Sequence, residues 1–133
     1  MSYMKKVLAL FLLAAFSLLC AKADLVELNP ENFKSVVNNP KKNVFVMFYA
    51  PWCGHCNHMK PDWQKLADEY NVDTDDTVIA RVDASAHQDI ARDNSVSGFP
   101  TMKLFTKKNK SGVQYNGPRD VDSLKAFLKQ NIQ

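Results

Sequence analysis

One stretch of this chain limits its fold more than any other: Val44-Phe45-Val46-Met47-Phe48-Tyr49, an unbroken apolar run with strong strand propensity. A strand at the surface of a sheet alternates apolar and polar residues, whereas a continuous run suits a central strand covered on both faces. The chain must therefore supply layers on two sides of a sheet. Asn38-Asn39-Pro40 bounds the run on one side and Pro51 on the other.

The flanking segments supply those layers. Leu25 to Leu28 reads as a short strand, and Asn29-Pro30-Glu31 starts a helix that continues to about Val37, with Asn as cap and Pro in the first turn. Cys53 to about Tyr70 reads as a long helix with Met59, Trp63, Leu66 and Tyr70 at helical spacing, kinked at Pro61. Val78 to Val82 is a strand and Gln88 to Asn94 a short helix. Thr101 to Phe105 and Val113 to Tyr115 form a hairpin across a lysine-rich turn, and Val121 to Ile132 closes the chain as an amphipathic helix. The order βαβαβαββα predicts an α/β fold, a central mixed β-sheet with helices on both faces.

The first 23 residues are expected to stand outside this domain. Lys5 and Lys6 precede a 13-residue apolar run, Val7 to Leu19, and Ala21-Lys22-Ala23 follows, the pattern of a cleavable signal peptide with cleavage before Asp24. The run is shorter than the roughly 20 residues a membrane-spanning helix needs, so no membrane span is expected after cleavage. Lipidation at Cys20 is disfavoured by the bulky Leu19 before it. The full chain has 17 basic and 14 acidic residues, and loss of Lys5, Lys6 and Lys22 leaves residues 24–133 with 14 of each. That balance gives no electrostatic footprint for nucleic acid.

Of the three cysteines, Cys20 leaves with the signal, and Cys53 and Cys56 remain in Trp52-Cys53-Gly54-His55-Cys56. Two cysteines at this spacing can close a small disulfide ring, and a helix N-terminus favours the thiolate through its dipole and free amides. Cys53, in the first turn, is the better-placed nucleophile; Cys56 sits one turn further in. Cys53, His55, Cys56 and His58 crowd into six residues, but a structural zinc site takes four ligands and usually a second, distant pair that this chain lacks, and c-type haem would need His where Asn57 stands, so neither metal nor cofactor is expected. His58 and His87 read as surface residues, Trp52 as a border of the site and Trp63 as core.

The run Phe48-Tyr49-Ala50-Pro51-Trp52-Cys53-Gly54-His55-Cys56 resembles the active site of the protein disulfide isomerase family. Pro61, Val82-Asp83-Ala84, Gly98-Phe99-Pro100-Thr101, Tyr115, Gly117 and Arg119 extend the likeness over residues 24–133. The resemblance implies a single thioredoxin-like domain acting as a thiol–disulfide oxidoreductase or isomerase in protein folding, with a redox-active Cys53/Cys56 disulfide. It also implies a cis bond before Pro100 beside that disulfide, substrate contacts from Trp52, Phe99 and Pro100, and an Arg119 that favours the Cys56 thiolate. A protonated His55 beside Cys53 would stabilise the thiolate and make the disulfide more oxidising; isomerases sit about 90 mV above thioredoxins.

The chain departs from the family at Met47, where relatives usually carry a buried acid that takes the proton of the second cysteine. Arg81 stands where the family often has that acid's lysine partner, and with Met47 in place of the acid it is expected to have lost its usual acidic partner. The competing expectation is a client-binding escort module with a weakly active Cys pair. Asn109-Lys110-Ser111 is a glycosylation sequon on the hairpin turn. Expected partners are cysteine-containing clients and a redox partner such as glutathione or an oxidase, for a monomer in the endoplasmic reticulum lumen or elsewhere in the secretory pathway. No Lys-Asp-Glu-Leu signal ends the sequence, so retention by a partner, or secretion, is also expected.

Overall fold

The computed structural model describes residues 23–72 and 75–132. The predicted leader, apart from Ala23, lies outside them. The described residues form β1 (Val26–Leu28), α1 (Phe33–Val37), β2 (Asn43–Tyr49), α2 (Gly54–Tyr70), β3 (Thr77–Asp83), α3 (Gln88–Asp93), β4 (Thr101–Phe105), β5 (Val113–Tyr115) and α4 (Val121–Asn131).

The apolar run becomes the middle strand of a five-stranded sheet of order β1-β3-β2-β4-β5. β2 runs parallel to β3, pairing Phe45 with Ile79 and Met47 with Arg81, and antiparallel to β4, pairing Met47 with Met102. All seven of its residues are buried. Because successive side chains point to opposite faces, the run feeds two cores. Phe45, Met47 and Tyr49 join Cys56, Met59, Trp63, Leu66, Leu124 and Leu128 beneath α2 and α4. Val44, Val46 and Phe48 join Phe33, Val37, Ile90 and Phe105 beneath α1 and α3. Each large side chain withdrawn from water contributes roughly 1.5–3 kcal/mol, and the central strand contributes to both layers.

The elements follow the sequence-based boundaries closely, with α1 the largest departure. Its regular part begins at Phe33 rather than at Pro30. The Asn29 side chain accepts hydrogen bonds from the amides of Glu31 (2.9 Å) and Asn32 (3.0 Å), as a cap does, and Asn32 in turn accepts from the Asn29 amide at 2.7 Å. This reciprocal pair holds residues 29–32 as a turn in front of the helix.

Two anchors orient the long helix and the hairpin. The Trp63 indole N–H donates to the Ala80 carbonyl at 3.1 Å, fastening α2 to β3. At the hairpin, Gly112 has φ 91°, and a β-carbon there would lie 2.8 Å from the Phe105 ring, so the turn requires glycine on both counts. Asn109 is exposed on the same loop, its side chain accepting from the Ser111 amide at 3.0 Å.

Candidate active site

β2 leads directly into the cysteine motif. After Tyr49, the Cys53 amide donates to the Ala50 carbonyl at 3.1 Å, closing a turn that leaves Pro51 and Trp52 exposed. Cys53 is extended (φ −79°, ψ 115°) and caps α2 in place of the usual oxygen: its Sγ accepts from the Cys56 amide at 3.1 Å. Its carbonyl accepts from the Asn57 amide at 3.0 Å, which is the first helical bond, and the Asn57 side chain donates to Pro51 at 3.2 Å. Sequence alone places both cysteines where unpaired amides and the helix dipole favour a thiolate, and the geometry aims one of those amides at Cys53.

Cys53 and Cys56 are joined as a disulfide with Cα atoms 5.2 Å apart. They differ in access: Cys53 is 7% exposed and Cys56 0%. Gly54 and His55 are exposed beside them, and a β-carbon on Gly54 would meet nothing within 4 Å, so the space beside Gly54 is open.

Trp52 is 73% exposed and stands edge-on to Phe99, ring centroids 5.8 Å apart. Phe99 packs against the cluster that contains both cysteines, and the Phe99–Pro100 bond is cis, as the resemblance implies. Pro100 is buried. Among the described residues, no turn or loop hydrogen bond engages the N–H or C=O of Phe99. Arg119 is exposed and shares a cleft with His55, His58, Met59, Asp62 and Asp120, and among the described residues its guanidinium makes no ion pair. Trp63 is core and His58 is exposed. Among the described residues, no group of three or more His, Cys, Asp or Glu side chains is placed to hold a metal ion.

Behind the disulfide, Met47 is fully buried in the same cluster as Cys56. Arg81 is paired with it across the sheet, so the usual acid is absent on that side, and an acid on β1 partners Arg81 instead. Its Nε donates to Glu27 Oε2 at 2.7 Å, and its guanidinium lies 5.0 Å from the centre of the Tyr49 ring. The Tyr49 hydroxyl donates to the other Glu27 oxygen at 2.6 Å. Burial, and then the hydrogen bond and charge of Glu27, push the Tyr49 phenol up to about 12. Sequence reasoning missed Glu27 and Tyr49 as members of the site. The available signal was a charged residue inside the short first strand, which has meaning only once β1 is known to lie beside β3.

The Thioredoxin family model matches residues 24–130. The chain belongs to the thioredoxin family. Curated relatives of this thioredoxin-family chain include "Protein disulfide isomerase-like 2-2" of Oryza sativa subsp. japonica, 46% identical over 81% of the chain and 29% of the relative. "Probable protein disulfide-isomerase A6" of Medicago sativa is also 46% identical, over 83% of the chain and 30% of the relative. The chain thus spans under a third of the length of these curated relatives. Among solved structures, the first thioredoxin domain of mouse protein disulfide-isomerase A4 superposes with a TM-score of 0.69 at 34% identity, covering 80% of this chain and 74% of that one. The human ERp44 zinc-bound form superposes with a TM-score of 0.71 at 32% identity, covering 81% and 30%. The predicted fold and the family resemblance are both borne out. Among the described residues, no helix is long and apolar enough to cross a membrane.

Proposed function

We propose that residues 24–133 form a thiol–disulfide exchange domain that makes or rearranges disulfides in client proteins of the secretory pathway, residues 1–23 being a cleaved leader. The observation that carries this reading is the asymmetry of the pair: Cys53 reaches solvent at the cap of α2, and Cys56 is buried one turn behind it. In the reducing direction, the Cys53 thiolate attacks a client disulfide, forms a mixed disulfide and expels one client thiolate. Cys56 then attacks Cys53 Sγ, expelling the second client thiolate and leaving the Cys53–Cys56 disulfide. Run backwards, a client thiolate attacks Cys53 Sγ and the client leaves oxidised.

The rest of the site fits these steps. The Cys56 amide stabilises negative charge on Cys53, and His55, exposed beside it, adds to that stabilisation when protonated. Trp52 and Phe99 offer an apolar lip to an unfolded client, and the Phe99 backbone offers a donor and an acceptor to an extended segment, next to Pro100. Arg119, across the small cleft from His55, adds positive potential on that flank. Asn109, exposed on the hairpin, is the position a sugar would occupy.

Met47 favours a second reading, an escort that binds clients with little exchange, because the buried strand offers Cys56 no carboxylate to take its proton. Equilibration with glutathione buffers separates the two. A reduction potential near the ~−180 mV of isomerases supports oxidation or isomerisation, and one near ~−270 mV supports reduction. A pair that does not exchange, in a protein that binds unfolded clients equally well with both cysteines changed to Ser, establishes the escort.

A further inference from the structure

We infer that Glu27 tunes the redox balance of the Cys53/Cys56 pair by holding the charge of Arg81, an inference that rests on the exchange function proposed above. The sheet order puts β3 between β1 and β2, with Glu27 opposite Arg81 and Arg81 opposite Met47. Residues paired across a sheet point to the same face, and the Met47 face is the one that carries both cysteines. Arg81 accordingly lines a cleft of about 330 Å³ with Met47, Lys60, Pro61 and Trp63, and Met47 and Trp63 belong to the buried cluster that holds both cysteines.

On β2 the neighbour of Arg81 is a thioether, which carries no charge. An unopposed guanidinium on this face would favour thiolates at the pair, stabilise the dithiol and make the disulfide a stronger oxidant. Glu27 opposes it through the 2.7 Å bond from Arg81 Nε. The Tyr49 hydroxyl binds the other Glu27 oxygen and, held up to about 12, keeps its proton at neutral pH. The cluster is therefore one cation, one anion and one neutral phenol, with no net charge turned toward the cysteines.

Substitution at Glu27 or Arg81 removes none of the other charged side chains around the pair. Lys60 shares the cleft from α2, Asp83 is held by the Ser85 hydroxyl and the amides of Ser85 and Ala86, and His55, His58, Asp62, Arg119 and Asp120 line a separate cleft. Removing either charge of the ion pair leaves the other exposed to the thiols, so two single substitutions have opposite signs. A merely structural ion pair has no such property, since losing either partner would act in one direction.

The test equilibrates the full chain with glutathione and glutathione disulfide at pH 7, where two glutathione thiols give up two electrons and the Cys53–Cys56 disulfide takes them up with two protons. Glu27→Gln is expected to raise the dithiol-to-disulfide ratio about three- to tenfold and Arg81→Gln to lower it by a similar factor, the scale of one partly screened charge a few strand spacings away. The double variant should return to within about twofold of the parent. The pH midpoint of thiolate absorbance should fall in Glu27→Gln and rise in Arg81→Gln. If one variant does not fold, the sign of the other still decides. Shifts in the same direction, or an unchanged ratio in a folded Glu27→Gln protein, overturn the inference. A parent chain that never exchanges with glutathione instead overturns the proposed function.

Discussion

The two faces of the sheet are built from alternate residues of the same strand, yet they do different work. Beneath α1 and α3 the core is hydrocarbon and ring, with Phe33 packed against Phe48 at 6.2 Å and Phe105 at 6.4 Å between centroids. Beneath α2 and α4 the core holds the disulfide, Met47, Tyr49 and Tyr115, and Tyr70 packs against it. Among the described residues, all three tyrosine phenols are raised above their usual range and all three lie on this second face, burial being the leading cause for each. The buried cluster on the first face holds no titratable side chain, and the cluster on the second combines stability with groups whose proton or electron content can change. Stability and chemistry should therefore separate experimentally along the plane of the sheet.

The largest break should come from Phe48→Ala, which empties the hydrocarbon face at its centre. A loss of about 3–5 kcal/mol is expected by urea unfolding, while the glutathione equilibrium of the folded fraction stays at the parent value. If that equilibrium moves by tenfold, the two faces are not independent. Gly112→Ala strikes the same face more gently, through a backbone held at φ 91° and a contact with Phe105. It should cost about 1–3 kcal/mol, again without a change in redox balance.

The smallest effect sharpens the comparison from the other side. Tyr49 binds its proton more tightly in the folded chain than in the unfolded one, so its contribution to stability is complete below pH ~10 and is lost as pH rises from there toward about 12. Urea midpoints measured across that window should fall, and Tyr49→Phe should reduce the slope. Tyr70 and Tyr115 act in the same sense, so part of the slope should survive. An unchanged slope in Tyr49→Phe would place the alkaline sensitivity elsewhere.

How much of this was legible beforehand depended on range along the chain. The apolar run was legible because continuity of hydrophobicity is a local signal, and β4 and β5 occupy the bounds their patterning predicts. The cysteine pair at a helix start was legible because strand, turn and helix lie within adjacent residues. The cis bond before Pro100 came only from resemblance, since most bonds before proline are trans. The Glu27–Arg81 pair was not legible. Its members are 54 positions apart and meet because β1 docks on β3, a choice of neighbour that periodicity does not encode. Position 47 offers Arg81 no acid from β2, and its partner comes from β1 on the other side.

The placement of the two tryptophans gives the domain a pair of optical reporters with separate subjects. Trp63 is sealed in the core with its N–H on Ala80, so its emission registers whether water has entered the protein. Trp52 stands in solvent next to Cys53, so its emission is expected to respond to the oxidation state of the pair. Changing either one to Phe would leave a single-colour gauge, one reading the integrity of the molecule and the other the state of its working edge.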